Sequence, residues 1–162
     1  MTKSAVTFDT ISEHPEFKAT IVDWYYHQWG KRDPNNSLES YTTKLDDLLE
    51  NGGIPVSVVG VQDGELVATA HLRLNEIPSF ENYEFWLGGV YVHPSRRASG
   101  VASQLVKQMI AEAKQFGIET LYLQTENLTG GLYAKLGWEK RHQLNNKGVE
   151  VIVMAKELSS DA

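Results

Sequence analysis

The sequence predicts a mixed α/β layer fold, and three observations carry that expectation. Short runs rich in β-branched and aromatic residues alternate with segments of helical spacing, in the order β α α β β β α β α β β. Turn signals at Asp63-Gly64 and across Asn145-Asn-Lys-Gly148 join neighbouring strands as hairpins, so the sheet is not all parallel. The chain has 162 residues, 41% of them hydrophobic and 22% charged, which suits one domain with a substantial core.

Taken in order, Val6–Ile11 alternates as a first strand. Pro15 opens a helix in which Phe17, Ile21, Trp24, Tyr25 and Trp29 keep helical spacing, and Gly30 stops it. Residues Arg32–Ser37, with Pro34 and two Asn, form a loop. Ser37 caps a second helix through Glu50, with Leu38, Tyr41, Leu45, Leu48 and Leu49 on its apolar face and Asn51-Gly-Gly at its end. The period then changes. Ile54–Val61 and Leu66–Leu74 pair across Asp63-Gly64, and Phe85–Val92 forms the next strand after a polar loop. A helix runs from Gly100 to Phe116 with Val101, Leu105, Met109, Ile110 and Ala113 buried. Next come a strand at Thr120–Thr125 and a short helix at Leu128–Leu136. A hairpin of Trp138–Leu144 and Val149–Ala155 closes the order, and the tail Leu158–Ala162 is expected to fray.

Composition narrows the function. Without Cys there is no disulfide, thiolate nucleophile or thiolate metal site. His14, His27, His71 and His142 lack metal-ligand spacing, so no metal is expected. A net charge of −6 argues against general nucleic-acid binding and is compatible with a cationic partner such as an amine. No apolar run has transmembrane length, and Met1–Ala5 lacks a signal-peptide core, so a cytoplasmic protein with no membrane partner is expected.

The most informative tract is Val90–Leu105. A strand enters a turn holding Arg96, Arg97 and small residues, then passes directly into a helix. Small residues let backbone N–H groups approach a ligand, and the helix N-terminus adds partial positive charge at the same point, so the turn suits phosphates. Just upstream, Gly88 and Gly89 lie inside a strand, where glycine marks a bulge or the close approach of another backbone.

Arg97-Ala-Ser-Gly-Val-Ala102 fits the pattern Arg/Gln-x-x-Gly-x-Gly/Ala, and Leu132-Tyr-Ala-Lys-Leu-Gly-Trp138 supplies a second element downstream. Together they resemble the GNAT superfamily of acyl-CoA-dependent N-acetyltransferases, over most of the chain from Ile54 to Ala155. The tract Trp86-Leu-Gly-Gly-Val-Tyr-Val-His-Pro is similar to one subgroup of it. Ala98 stands where the family usually has Gly, Ser99 where a basic residue is frequent, and Asn127 sits one residue off the family register.

The resemblance implies a mixed, mostly antiparallel twisted sheet with helices on both faces and a splayed, bulged central strand pair. It implies a single domain over 1–162, with acceptor-side elements in 6–53 and an acyl-CoA-binding core in 54–155. Acetyl-CoA would be the acyl donor. Arg97 and the main-chain N–H groups of Ala98, Ser99, Gly100, Val101, Ala102 and Ser103 would cradle its pyrophosphate. Val90, Tyr91 and Val92 would pair with the pantetheine arm, with Asn127 nearby, and Tyr133 would protonate the departing thiolate. Arg96 reads equally as surface charge, and His93 as structural. Glu84, at the entry to the glycine-containing strand, is the carboxylate expected to act as general base, with Glu76 and Glu81 in the preceding loop as alternatives. The expected activity is direct transfer of acetyl to a primary amine of a small molecule or peptide in a ternary complex, because no Cys is present for an acyl-enzyme. A non-catalytic acyl-CoA-binding module, or acetylation of a protein Lys or N-terminus, remains open, as does monomer or homodimer. A phosphate-loop nucleotide protein would need a Gly-x-x-x-x-Gly-Lys-Ser/Thr motif, which the sequence lacks.

Overall fold

The computed structural model describes residues 5–49, 56–97 and 99–158. Its strands are β1 (Thr7–Thr10), β2 (Val56–Gln62), β3 (Glu65–Leu74), β4 (Phe85–Val92), β5 (Thr120–Thr125), β6 (Glu139–Asn146) and β7 (Val149–Glu157). Its helices are α1 (Lys18–Gln28), α2 (Leu38–Leu49), α3 (Val101–Gln115) and α4 (Gly131–Lys135). One seven-stranded sheet runs in the order β1-β2-β3-β4-β5-β7-β6. Its neighbours are antiparallel except β4 and β5, so the fold is mixed α/β as the sequence predicts.

Strand alternation sorts apolar side chains onto two faces. Val58 belongs to a cluster with Leu72, Leu87, Leu105, Met109 and Leu123, between the sheet and α3. Its neighbour Val59 belongs to the opposite cluster, with Ile21, Val22, Tyr25 and Leu45 of α1 and α2. Helices therefore cover both faces. Leu105 and Met109 are fully buried, and truncating such a side chain to Ala costs about 2–5 kcal/mol.

The hairpin turns obey backbone sterics. Asp63 and Gly64 have φ of 54° and 79°, and Gln62 pairs with Glu65, so two residues turn the chain. The last hairpin is tighter than the sequence suggests. β6 runs on to Asn146, and Lys147-Gly148 alone turns it, with Gly148 N–H donating to Asn145 Oδ1 at 2.9 Å.

Other boundaries shift for local reasons. Pro15–Phe17 forms a 3-10 turn, and α1 starts only at Lys18. The α4 helix begins at Gly131 rather than Leu128, because Asn127 Oδ1 accepts from Thr129 N–H at 3.1 Å and from its hydroxyl at 2.7 Å. That Asx turn competes with helix formation. The expected helix stop at 51–53, the strand start at Ile54 and the tail after Leu158 lie outside the described residues. Leu158 itself does not fray, because its side chain is buried in the core and its N–H donates to the Glu119 carbonyl at 2.7 Å.

Two irregularities interrupt the middle of the sheet. Between Thr69–Tyr91 and His71–Gly88, the single residue Ala70 faces both Gly89 and Val90, a bulge in β4. On its other side β4 pairs with the parallel β5 at one position, Trp86 with Tyr122. The two strands part beyond it.

Candidate active site

The bulge is built around side chains that leave no room for a Cβ. One added at Gly88 would lie 2.7 Å from both His71 Nε2 and Glu76 Oε1. At Gly89, where φ is +60°, it would lie 2.5 Å from Tyr25 Oη. The glycine pair thus serves two needs, a left-handed bulge residue and space for the His71 ring. Tyr25, buried on α1, donates to the Gly89 carbonyl at 2.8 Å and packs edge-on against His71 at 5.9 Å. Burial raises the Tyr25 pKa, so its hydroxyl stays a donor.

The bulge opens into a cleft of about 820 Å³. Tyr25, Trp29, Tyr41 and Lys44 line it from the helical side. His71, Arg73 and Glu76 line it from β3 and the loop after it, and Gly88, Gly89 and Val90 from β4. Gln124 and Thr125 of β5, Tyr133 of α4, and Asn146 and Lys147 complete the wall. The cleft therefore runs along the gap between β4 and β5.

Its polar groups form a chain. Asn146 Nδ2 donates to Gln124 Oε1 at 2.8 Å, and Gln124 Nε2 donates to Glu76 Oε2 at 2.8 Å. Arg73 stands 3.8 Å from the other Glu76 oxygen, and its Nε is buried without a hydrogen-bond partner. Burial raises the Glu76 pKa against the opposing pull of Arg73 and Gln124. His71 is 6% exposed, and neither ring nitrogen has a partner. Burial, then the Arg73 charge, lowers its pKa to about 3, so the ring is neutral at physiological pH. Burial and then the Glu76 charge push Tyr133 up to about 12.

At the far end of β4 lies the arginine turn. His93 Nδ1 accepts from Ser95 N–H at 3.1 Å, and Arg96 Nε donates to Gln62 Oε1 at 2.7 Å. Arg97 Nε donates to the Val92 carbonyl at 2.9 Å, with the guanidinium 5.3 Å from the Tyr91 ring centre. Ser99 Oγ donates to the Arg96 carbonyl. Gly100 precedes α3 at φ 85°, and no side chain caps the helix. The first helical bond there joins Gln104 N–H to the Gly100 carbonyl at 3.1 Å, so Val101, Ala102 and Ser103 present N–H groups that precede the helical ladder.

Of the residues singled out from the sequence, Val90 and Tyr133 line the cleft. Tyr91 and Val92 continue β4 toward the turn, where Arg97, Ser99, Gly100, Val101, Ala102 and Ser103 gather, and Ala98 lies outside the described residues. Asn127 is exposed and occupied in its own turn. Glu84 departs most from expectation. It is exposed and does not line the cleft, and its backbone carbonyl accepts from Asn75 N–H at 2.8 Å. That bond closes the loop carrying Glu76, the one of the three candidate bases that does reach the cleft. The sequence marks neither Arg73 nor Gln124, offers His71 only as a metal ligand without partners, and shows Tyr25 and Trp29 as regularly spaced positions of a helix. The Gly88-Gly89 pair was the one signal that something bulky packs there. Among the described residues no cluster of three or more His, Asp or Glu suits a metal, and no helix is long and apolar enough to cross a membrane.

Residues 18–138 match the family model of the acetyltransferase (GNAT) family. The chain belongs to that family. Solved GNAT structures share its fold from end to end. An aminoglycoside 6'-acetyltransferase type Ii is 21% identical with a TM-score of 0.74, covering 96% of this chain and 99% of that one. A putative acetyltransferase, yncA from Salmonella typhimurium, solved with its cofactor acetyl-CoA, is 19% identical with a TM-score of 0.76, covering 98% and 96%. A putative phosphinothricin N-acetyltransferase is 16% identical with a TM-score of 0.74, covering 96% and 100%. No curated protein sequence matches the chain.

Proposed function

We propose that this GNAT protein transfers an acetyl group from acetyl-CoA directly to a primary amine, with both substrates bound together. The observation that carries the reading is the parting of β4 and β5 beyond Trp86–Tyr122, with Glu76 and Tyr133 on the cleft it opens. An extended acyl carrier can lie in that gap as an added strand, using backbone groups near Val90 that the β4–β5 ladder leaves unused. The uncapped α3 N-terminus and Arg97 suit the anionic end of the same carrier. Acetyl-CoA supplies the activated thioester carbonyl.

The chain's own groups then divide the work. Glu76 takes the proton of the incoming ammonium, and its raised pKa makes it a better acceptor than an exposed carboxylate. The Val90 N–H polarises the carbonyl as the new C–N bond forms and the C–S bond breaks. Tyr133, held near 12, faces a thiol of pKa about 8.5, so full proton transfer to the sulfur is uphill by roughly 5 kcal/mol. Its role is therefore a hydrogen bond to the leaving sulfur, with solvent completing the protonation. The similar solved structures include enzymes named for acceptors as different as aminoglycosides and phosphinothricin, so the family alone does not select the amine.

The test is thiol release from acetyl-CoA against amines, amino acids, polyamines, aminoglycosides and peptides. Release with at least one amine, and loss of about 10²-fold in kcat for Glu76→Gln, are expected. Acetyl-CoA that leaves the melting temperature unchanged would overturn the reading, because a ligand of the native state must stabilise it.

A further inference from the structure

The cleft and the chain carry opposite charge. The whole chain is at −6, yet among the described residues four cations line the cleft, Arg32, Lys44, Arg73 and Lys147, against Glu76 and Glu126. Arg32 and Glu126 are already paired at 3.1 Å. Arg73 is only loosely matched, 3.8 Å from Glu76, and keeps a buried Nε donor with no partner. Its charge bears on Tyr25, Tyr41 and His71 as well as Glu76, which places it where the helical wall meets the bulge. Lys44 stands over the Tyr41 ring at 4.7 Å. None of residues 97 and 99–103 lines the cleft, so these cations are additional to the phosphate-suited turn.

We infer that the acceptor is a zwitterion of the amino-acid type, an amine carrying a carboxylate, phosphonate or phosphinate on the same small molecule. This rests on the acetyl-transfer reading for its amine end and on the lining charges for its anionic end. The ammonium faces Glu76, the anion meets Arg73 and Lys44, and the carbon skeleton lies on Tyr25, Trp29 and Tyr41. The Arg73 side chain, 40% exposed, supplies the anion with a charge-assisted hydrogen bond. A polycationic amine would bring several charges to a wall that is itself net positive, and Glu76 could match only one of them.

Calorimetry on protein saturated with CoA tests the inference. The matched probes are phenylalanine and phenethylamine, leucine and isopentylamine, and methionine and 3-(methylthio)propylamine, with spermidine as the polycation. The phosphonate analogue of the best amino acid separates the two kinds of anion. At least one acid should bind about tenfold or more tighter than its amine partner, and Arg73→Gln and the exposed Lys44→Gln should each shrink that ratio. Both variants should keep CoA affinity within about twofold, which shows that they fold. Amines that bind as well as every acid partner, spermidine binding tightest, or no acid binding at all would overturn the inference. Thiol release is scored separately. Preference for acids without release sinks the transfer reading alone, and release without that preference sinks the zwitterion alone.

Discussion

Tyr25 and Gly89, 64 residues apart in sequence, are joined by one hydrogen bond of 2.8 Å from the phenol to the bulge carbonyl. It ties α1 to the strand that shapes the cleft. Tyr25→Phe keeps the packing and removes the donor, so it should cost about 1–2 kcal/mol in urea denaturation. If the bond also holds the bulge in shape for reaction, kcat falls several-fold with little change in the acetyl-CoA KM. Unchanged stability would show that water replaces the phenol at no loss.

The two glycines make a graded pair. Gly88→Ala places a methyl against His71 and Glu76 in backbone that tolerates an L-residue. Gly89→Ala adds the strain of φ +60° to a clash with Tyr25 and His71. Both should destabilise by roughly 1–3 kcal/mol, Gly89→Ala the more. Because the Gly88 clash involves His71, the double variant Gly88→Ala/His71→Ala should lose less than the sum of its parts. Strict additivity would refute the steric account.

Tyr133→Phe should lower kcat by about 10-fold or more and leave amine binding near its original value. With the phenol pushed up to about 12, wild-type kcat should show no alkaline fall from this group below pH 10. A loss of activity between pH 8 and 10 that disappears in Tyr133→Phe would contradict its assigned protonation state.

His71 sets a pH dependence of stability. An unfolded imidazole gains its proton near pH 6.5, whereas burial and the Arg73 charge hold the folded one at about 3. Its contribution is therefore intact above 6.5 and declines as pH falls, because the unfolded chain binds the extra proton. Between pH 8 and pH 5 that amounts to about 2 kcal/mol. Glu76, whose pKa burial raises, works in the opposite sense and is present in both proteins of the comparison. The stability gap between wild type and His71→Asn should narrow by that amount over this range, measured by chemical denaturation. A constant gap would mean that folded His71 protonates as freely as in the unfolded chain.

The features legible in the sequence are those that local backbone rules govern. Asp63-Gly64 announced its turn because both positions need positive φ, and Gly88-Gly89 announced the bulge for a related reason. The short order of strands and helices sufficed for the layers. Glu76 was harder to separate from Glu84, because the closure of their loop by Asn75 and Glu84 backbone groups has no periodic signature. His71, an inward strand residue like its neighbours, becomes distinctive only once the bulge shifts the register and sets two bare backbones against its ring. Arg73 and Lys44 carry no sequence signature and gain meaning only when β3 and α2 bring them to one wall.

The lone Trp86–Tyr122 contact also gives the sheet a seam. Strands β1–β4 and β5–β7 form two hydrogen-bonded blocks that share a core but barely share a ladder. Without a ligand, amides along the seam should exchange with solvent faster than those deeper in either block. A carrier lying in the gap would stitch the blocks together, so slowed exchange on both banks at once would be the mechanical signature of its arrival.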